Sequence, residues 1–361
     1  CIRDSICHGN SGKTSLAEAM LYTAGKIKRL GQVDDGTASL DFDGEEIKRK
    51  ITINASFQNY TWNKVETYFI DTPGDDSFFN ETVFTTGVCD SAILTIGAVL
   101  GVKGQTRKFI DLIAENQTPA MLVITKMDKE RANFTSTLDQ ISAELPVKTA
   151  VLQIPIGAED GFSGVVDIIH QKGYEFDSGQ SGNLKECDIP ADLVDEAVRL
   201  REAMMEDIAE TDDELIEKFL EEGELSIAEM REGLRKAVCD GQLIPLCICS
   251  GTINKGTAHI LDSINAYMPA PSDLPGKKAQ KVSDGEEVEC APSTEAPFAA
   301  LVFKTMADPY AGRLTIFRVY SGTLSGDTFY NANKKTSERF GQLFLIEGKE
   351  QRHIDPVSFT H

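Results

Sequence analysis

The chain has 361 residues, of which 57 are acidic and 36 basic, so its formal net charge at pH 7 is -21 with the five histidines neutral. Hydrophobic residues make up 41% of the sequence, which is enough for packed cores and excludes a disordered acidic tail as a description of the whole chain. The length predicts about two or three domains. No segment approaches the roughly 20 consecutive apolar residues of a membrane span, and no signal segment begins the sequence. A soluble, cytoplasmic protein that binds no membrane is therefore expected.

The eight cysteines lie at positions 1, 7, 89, 187, 239, 247, 249 and 290. They form no C-x-x-C pair and have no histidine at metal-ligand spacing, so the pattern does not predict a zinc site. Cys247 and Cys249 lie two residues apart in an apolar run, which is typical of small core residues on one face of a strand. A reducing compartment is compatible with all eight.

Residues 1–156 alternate short apolar runs with amphipathic helical stretches, a pattern typical of βαβ units around a mostly parallel sheet. A first helix, with Leu16, Met20 and Leu21 on its apolar face, is expected to close at Gly25. Strands are expected at 51–57, 65–70, 92–96 and 121–124. The first part of the chain is therefore predicted to be an α/β domain.

A very acidic helical segment follows at 183–236, with eighteen acidic and seven basic residues. A pair of solvated helices is the simplest interpretation of this charge. The α/β pattern returns with a strand at 243–248 and a helix with Ile260, Leu261 and Ile264 on one side, so the acidic helices are predicted to be inserted into the first domain. After a polar, proline-containing stretch, the pattern from residue 297 onward is purely β.

The strongest motif covers residues 7–14, Cys-His-Gly-Asn-Ser-Gly-Lys-Thr, which match the phosphate-binding pattern G-x-x-x-x-G-K-[ST] except that Cys7 replaces the first glycine. Backbone N–H groups of such a loop point at phosphate oxygens from the N-terminus of a helix. Gly12 allows close approach, Lys13 can reach the β- and γ-phosphates, and Thr14 can offer its hydroxyl to Mg²⁺. The candidate phosphate-binding residues are Asn10, Ser11, Gly12, Lys13, Thr14 and Ser15.

A second motif, Asp71-Thr72-Pro73-Gly74, directly follows the apolar residues 68–70. A carboxylate at the end of a buried strand can hold Mg²⁺ through water, and the backbone N–H of Gly74 can meet a γ-phosphate. Alone, D-x-x-G is a weak indication. Downstream of a phosphate-binding loop and after a strand, it strongly indicates a nucleoside triphosphate site.

A third motif, at 123–128, distinguishes the base. The Asp128 carboxylate can accept hydrogen bonds from both the ring N–H and the exocyclic amine of guanine, whereas adenine offers no such donor pair. The stem of Lys126, which follows Thr125, can cover the purine face. Backbone N–H groups of Ser250, Gly251 and Thr252 would bind the guanine carbonyl. The predicted ligands are therefore GTP and GDP, with Mg²⁺.

On these motifs the chain resembles the translational GTPases, specifically elongation factor G and its elongation-factor-G-like paralogues, from residue 2 to about residue 350. Residues 45–53, Glu-Glu-Ile-Lys-Arg-Lys-Ile-Thr-Ile, are similar to the family's first switch. Residues 155–157 and 162–167 are similar to the entry into its inserted G′ subdomain, and 298–324 to the start of its domain II. Residues 15–21 favour the paralogue branch.

The resemblance implies a P-loop GTPase domain with a mostly parallel sheet and an inserted α+β subdomain, followed by a partial β-barrel domain. The expected boundaries are 1–156 and 241–272 for the G domain, 157–240 for the insert, 273–296 for a linker, and 297–361 for an incomplete domain II. Only residues 1–6 precede the phosphate loop, so we expect either that residues are missing before it or that the first strand is irregular. Domain II is expected to be incomplete, without the family's three later domains.

The resemblance also implies a GTP-driven switch that acts on the ribosome. Thr52 would close over the nucleotide and give its hydroxyl to Mg²⁺, with Thr14 and Asp71 as the other metal-site residues, while Lys13 and Gly74 would act at the γ-phosphate. Ribosomal RNA and stalk proteins are the implied partners, the latter through the acidic insert. A monomer that binds no DNA is expected.

Four positions depart from the family's pattern. Asp75 replaces the histidine that is thought to position the attacking water, so we assign Asp75 to the candidate catalytic residues and hypothesise either slow hydrolysis or a side chain held away from the site. Thr125 replaces the usual asparagine, which predicts weaker nucleotide binding. Asn10 stands where the family often has an aspartate, and Lys50 stands where it usually has a glycine.

Two other functions remain open on sequence grounds. A ribosome-binding module that holds GTP with little or no hydrolysis is motivated by Asp75. An unrelated P-loop ATPase is the second alternative, and Asp128 argues against it. Release factor 3 and the tetracycline-protection proteins are nearer relatives than such ATPases. The domain II sequence disfavours release factor 3, and the insert disfavours the tetracycline-protection proteins. The step of translation that is served cannot be read from the sequence.

Overall fold

The computed structural model of the chain describes residues 2–6, 9–177, 179–308, 312–324 and 328–354. It contains two compact units, of which the first is Ile2–Pro269 and the second begins at Ala270. Cys7 of the predicted phosphate loop lies outside the described residues, as does the end of the predicted domain II after residue 354. Among the described helices, none has the length and apolar character needed to cross a membrane.

The elements of the first unit alternate between strands and helices over most of its length. In chain order they are β1 (Ile2–Ile6), α1 (Lys13–Thr23), α2 (Gly44–Arg49), β2 (Ser56–Trp62), β3 (Val65–Asp71), α3 (Phe79–Thr86), β4 (Ser91–Gly97), α4 (Gly104–Glu115), β5 (Ala120–Thr125), α5 (Phe134–Glu144), β6 (Thr149–Val151), β7 (Gln153–Ile156), β8 (Gly164–Asp167), β9 (Lys172–Phe176), β10 (Leu184–Cys187), α6 (Val194–Ala209), α7 (Asp213–Glu222), α8 (Ile227–Cys239), β11 (Ile244–Ile248) and α9 (Thr257–Tyr267).

A seven-stranded sheet forms the centre of this unit, in the order β2-β3-β1-β4-β5-β11-β6. All neighbouring strands are parallel except β2, which is antiparallel to β3. Strands β4, β5 and β11 are buried along their whole length, which explains why they are near-continuous apolar runs rather than alternating ones. The α/β class with a mostly parallel sheet is therefore confirmed.

The parallel strands bring the motif residues to one edge. Asp71 ends β3, Thr125 ends β5, and Ser250 follows β11, while the loop that ends at Gly12 follows β1. Because the carboxyl ends of parallel strands meet at the same edge of a sheet, these side chains lie close together although they are distant in sequence.

One predicted strand was misplaced. The pattern predicted a strand at 51–57, but β2 runs from Ser56 to Trp62 and is joined to β3 by Asn63 and Lys64, both in the left-handed conformation of a tight hairpin turn. The β-branched sequence at 51–53 favours a strand. These residues leave the sheet instead, because Thr52 is buried in contact with the side chain of Thr14.

The segment between β6 and β11 has its own layer. Strands β7 to β10 form a four-stranded antiparallel sheet in the order β10-β9-β8-β7. A pair of solvated helices was predicted for the acidic segment. Within the fully described stretch 183–240 it contains three helices, α6, α7 and α8. They bury apolar inner faces, including Met204, Ile208 and Leu234. The fold is compatible with an insertion, whose boundaries remain a prediction.

The second unit consists of antiparallel hairpins in its described part. Its strands are β12 (Lys277–Gln280), β13 (Glu287–Cys290), β14 (Ala299–Asp308), β15 (Gly312–Ser321), β16 (Thr328–Asn331), β17 (Thr336–Arg339), β18 (Phe344–Glu347) and β19 (Glu350–His353). The first hairpin, β12 with β13, lies within the segment that was predicted to be a linker. A small core around Val319 and Leu324 supports the rest, which is consistent with part of a β-barrel domain.

Candidate functional site

The loop before α1 has the backbone geometry of an anion-binding loop. Asn10 and Gly12 have φ values of 63° and 90°, and a side chain on Gly12 would place its Cβ 3.2 Å from the hydroxyl oxygen of Thr125. The hydroxyl of Ser11 lies 2.7 Å from that of Thr95 on β4, and both residues are fully buried. The loop is thus held against the sheet while the first N–H groups of α1 lack partners within the helix, which suits them to bind phosphate.

Two hydroxyls and two carboxylates meet beside this loop. The Thr14 hydroxyl donates to Asp71 Oδ2 at 2.8 Å and lies 3.1 Å from the Thr52 hydroxyl. Thr52 in turn donates to Asp41 Oδ1 at 2.8 Å. These four residues, which come from α1, β3 and the segment between α1 and β2, form what we call the hydroxyl–carboxylate cluster.

Electrostatics in the cluster favour a cation. Burial raises the pKa of Asp41 to about 6, an effect that the hydrogen bond from Thr52 opposes and the nearby carboxylates of Glu46 and Glu18 strengthen. Asp41 Oδ2 is buried and has no hydrogen-bond partner within the part of the chain that the structure describes. An all-oxygen donor set of this kind suits Mg²⁺, a hard cation that prefers carboxylate and hydroxyl ligands. The residues present therefore fit the ion that the sequence predicted.

The segment that carries Thr52 is fastened at its end by a buried carboxylate. Glu46 Oε1 accepts hydrogen bonds from the backbone N–H groups of Ile53 and Asn54, each at 3.0 Å, and Oε2 accepts from Asp43 N at 3.2 Å. Lys50, the residue that follows α2, has a φ of 57°. A left-handed residue costs about 1 kcal/mol unless it is glycine, which gives a physical reason for the glycine usually found there.

The second motif is linked directly to the phosphate loop. The carbonyl of Gly74 accepts a hydrogen bond from Gly9 N at 2.7 Å. The Asp75 carboxylate is exposed to solvent. It accepts a hydrogen bond from Ser77 N at 2.8 Å and caps the short helix Asp76–Phe78. This bond from Ser77 holds the pKa of Asp75 below its ordinary value. Of the two hypotheses for Asp75, this geometry favours a side chain held away from the site.

The third motif contacts the opposite side of the loop. Lys126 Nζ donates to Asn10 Oδ1 at 2.6 Å, and the Thr125 hydroxyl donates to the backbone carbonyl of Ser11. Thr125 therefore braces the phosphate loop with its hydroxyl alone.

Asp128 is positioned by two neighbours. Its Oδ1 accepts from the Ser250 hydroxyl at 2.5 Å, and its Oδ2 lies 3.1 Å from Lys129 Nζ. The backbone N–H of Ser250 donates to Lys255 O at 2.9 Å, so it is not available to a guanine carbonyl, in contrast to the prediction. Gly251 lies against the backbone of Ser15, and the Thr252 carbonyl accepts from Gln32 Nε2 at 2.9 Å. The predicted base loop is thus packed on α1.

The sequence did not single out several residues that complete this site. Asp41 was one of several carboxylates between α1 and β2, Glu46 lay in the segment similar to the first switch but was given no role, and Thr95 was one polar residue in an apolar strand. A weak signal existed for Glu46, which follows Asp43 at the spacing of a capping box. For Asp41 and Thr95 the only signal is spatial, because their partners Thr52 and Ser11 are distant in sequence.

Comparison with known proteins agrees with this fold. The model of the elongation factor Tu GTP binding domain matches residues 5–270, and that of elongation factor G domain 2 matches residues 297–358. Elongation factor G of Mycoplasma pneumoniae is 35% identical over 353 residues, which cover 98% of this chain and 51% of that protein.

A crystal structure of a protein from Thermus thermophilus has a TM-score of 0.85 and 26% identity to the chain, covering 99% of this chain and 50% of the other. The chain therefore spans about half the length of these relatives. The first family match covers most of the chain and confirms the resemblance seen in its motifs. The chain belongs to the family of the elongation factor Tu GTP binding domain, and within that family it is similar to elongation factor G.

Proposed function

We propose that the chain binds GTP with Mg²⁺ and hydrolyses it as a translational GTPase of the elongation factor G type. The observation that carries this proposal is the meeting of three motifs around one loop. Thr14 contacts Asp71 and Thr52 on one side of the loop, while Ser11 and Asn10 contact Thr125 and Lys126 on the other.

On the phosphate side, the N–H groups of residues 10–15 and the buried Lys13 would bind the phosphates. Thr14 and Thr52 would hold Mg²⁺ through their hydroxyls, with Asp71 and Asp41 positioned to bind its water ligands. When bound, the ion would neutralise charge on the β- and γ-phosphates. Gly74, linked to Gly9, would report the presence of the γ-phosphate to the second switch.

On the base side, Asp128 would accept the two donors of guanine, and Ser250 would keep its carboxylate oriented for that task. The Lys126 stem would cover the purine. Burial lowers the pKa of Lys126, which is consistent with an aliphatic stem packed inside a pocket. The N–H groups of Gly251 and Thr252 are the remaining candidates for the guanine carbonyl.

We further propose that hydrolysis is slow, because Asp75 stands where the family's pattern has a histidine. Asp75 is used as a helix cap and lacks the donor that a water-positioning residue needs when it is ionised. The alternative of a GTP-binding module with little or no hydrolysis rests on the same observation. The second alternative, an unrelated P-loop ATPase, is disfavoured by membership of a GTP-binding family.

The ribosome is the proposed partner, through ribosomal RNA and stalk proteins, because elongation factor G is the relative that the chain matches over most of its length. A cytoplasmic location and a monomeric state belong to the same proposal. The acidic outer surface of α6 to α8 would suit a partner of opposite charge.

Calorimetric titration with GTP, GDP and ATP in Mg²⁺ tests the site. We expect guanine nucleotides to bind and ATP to compete poorly, and equal affinity for ATP would contradict the guanine assignment. Turnover measured with and without ribosomes then separates the two remaining functions. Stimulation by ribosomes supports the translational GTPase, whereas an unchanged, near-zero rate supports the non-hydrolysing module.

A further inference from the structure

A buried carboxylate lies on α1, away from the phosphate-binding residues at the start of that helix. Glu18 is fully buried, and its Oε1 accepts three hydrogen bonds: from Ser39 N at 2.7 Å, from the Ser39 hydroxyl at 2.6 Å and from Leu40 N at 3.0 Å. These donors belong to the segment between α1 and α2, not to the helix. One side-chain oxygen therefore joins two parts of the molecule that are about twenty residues apart.

Burial of the Glu18 carboxylate costs free energy, which indicates a role beyond packing. Carboxylates are rarely buried, because removing the charge from water is unfavourable without compensating hydrogen bonds. Burial raises the pKa of Glu18, and the hydrogen bonds from Ser39 and Leu40 oppose that effect. An apolar residue would fill the same space at lower cost, so packing alone does not explain a glutamate here.

The segment is shaped to receive this side chain. A Cβ on Gly31 would lie 2.3 Å from Glu18 Oε2 and 2.8 Å from Thr37 O. The backbone of Gly31 is not in the left-handed region, so any residue could adopt its conformation. The absence of a side chain at position 31 is therefore needed for space, which the Glu18 carboxylate shares with the backbone of Thr37 and Ala38.

The contact leads directly to the hydroxyl–carboxylate cluster. Leu40, held by Glu18, precedes Asp41, which accepts from Thr52, which in turn lies beside Thr14. Thr14 and Glu18 are four residues apart and so lie on the same face of α1. The helix that presents Thr14 to the proposed metal site thus also holds the segment that brings Asp41 and Thr52 to it.

We propose that Glu18 is a positioning residue that fixes the segment 31–41 on α1 and thereby sets the preference for GTP over GDP. This inference rests on the proposed function, because it assumes that Thr52 responds to the γ-phosphate and its metal ion. Glu18 acts through Ser39, Leu40 and Asp41, and does not itself touch the nucleotide.

The test uses Glu18→Ala, Glu18→Gln and Gly31→Ala, with Glu115→Gln on the exposed end of α4 as the control. Affinities for a non-hydrolysable GTP analogue and for GDP are measured in Mg²⁺, together with the melting temperature. Trypsin cleavage at the exposed Lys28 and Lys48 reports whether the segment is held. Gly31→Ala crowds the carboxylate and the backbone of Thr37 and Ala38 without changing any charge. Glu18→Gln keeps one accepting oxygen and is the mild variant if Glu18→Ala or Gly31→Ala does not fold.

We expect Glu18→Ala and Gly31→Ala to lose about tenfold or more in affinity for the GTP analogue, with GDP affinity within about twofold of wild type, and to be cleaved faster at Lys28 and Lys48. Glu18→Gln should be intermediate. A parallel loss of both affinities with melting temperature would show a merely structural role and overturn the inference, as would unchanged variants. If the wild-type chain fails to bind the GTP analogue, both the proposed function and the inference that rests on it fail. If the wild-type chain binds the analogue and the variants bind it equally well, the Glu18 inference alone fails.

Discussion

The hydroxyl oxygens of Thr14 and Thr52 lie 3.1 Å apart although 38 residues separate them in sequence. Thr14 is in the first turn of α1 and cannot move independently of the phosphate loop. Thr52 lies between α2 and β2, held by Asp41 and by the bonds from Glu46 to the two residues that follow it. Under the proposed function, the distance between the two threonines would measure whether the segment that carries Thr52 is closed over the site.

Replacement of Thr52 by alanine is expected to weaken binding of a GTP analogue about tenfold or more in Mg²⁺, with a smaller effect on GDP. The change removes a hydroxyl that fits the metal site and leaves Asp41 without its donor, and hydrogen bonds to charged groups contribute about 1.5–3 kcal/mol. Titration at several Mg²⁺ concentrations measures the effect. Thr61→Ala, at an exposed position on β2, is the control, and equal losses for GTP and GDP would refute the switch role.

Replacement of Asp128 by asparagine is expected to reverse the base preference. A carboxylate accepts the two donors of guanine, whereas an amide offers a donor of its own and so suits xanthine, which has a carbonyl in place of the exocyclic amine. Competition between GTP and xanthosine triphosphate measures the change, with Asp160→Asn at an exposed position as the control. Retained preference for GTP would show that Asp128 does not read the base.

Replacement of Thr125 by alanine is expected to weaken both nucleotide binding and the fold. The Ser11 carbonyl would lose its buried donor, at a cost of about 1–3 kcal/mol. Urea denaturation and GDP titration measure the two effects. Thr125→Ser keeps the hydroxyl and should remain close to wild type, so a serine variant as weak as the alanine variant would show that the methyl group matters instead.

Replacement of Asp75 by alanine should leave ribosome-stimulated turnover within about twofold of wild type, because the carboxylate caps Asp76–Phe78 and faces solvent. The lost cap is expected to cost about 1 kcal/mol of local stability. Steady-state phosphate release measures turnover. A drop of tenfold or more would place Asp75 among the catalytic residues after all.

A pH-dependent contact is expected at the turn between β8 and β9. His170 Nδ1 lies 2.9 Å from Asp167 Oδ2, and this hydrogen bond raises the pKa of His170 above its ordinary 6.5. Because the folded pKa is raised, the stabilisation is complete below about pH 6.5 and is lost as the pH rises through the folded value. Wild type should therefore exceed His170→Asn in unfolding free energy at about pH 6, and the difference should shrink by about pH 9.

Urea denaturation at the two pH values measures this difference. His353→Asn, in the second unit, is a suitable control for general effects of removing a histidine. A difference that grows with pH would mean that His170 is stabilised as the neutral form, contrary to the bond with Asp167.

Much of the fold could be predicted because its signals are local. The apolar runs of β4, β5 and β11 reflect burial on both faces, and their order along the chain indicates βαβ units. The β2 strand was misplaced because 51–53 has a strand-like composition, and the contact of Thr52 with Thr14 overrides that local preference. The number and burial of the acidic helices were underestimated, because the many charged residues on their outer faces dominate the composition and obscure the apolar inner faces.

The family and the motif residues could be predicted from the sequence. The chemistry of Gly12, Lys13, Thr14, Asp71 and Asp128 lies in short patterns whose spacing is set by one loop or one strand end. The parts played by Asp41, Glu18 and Thr95, and the outward direction of Asp75, emerged from the folded chain alone. Each of these features depends on a contact between segments far apart in the chain or on the direction of a side chain. Neither produces a repeating pattern in the sequence from which it could be predicted.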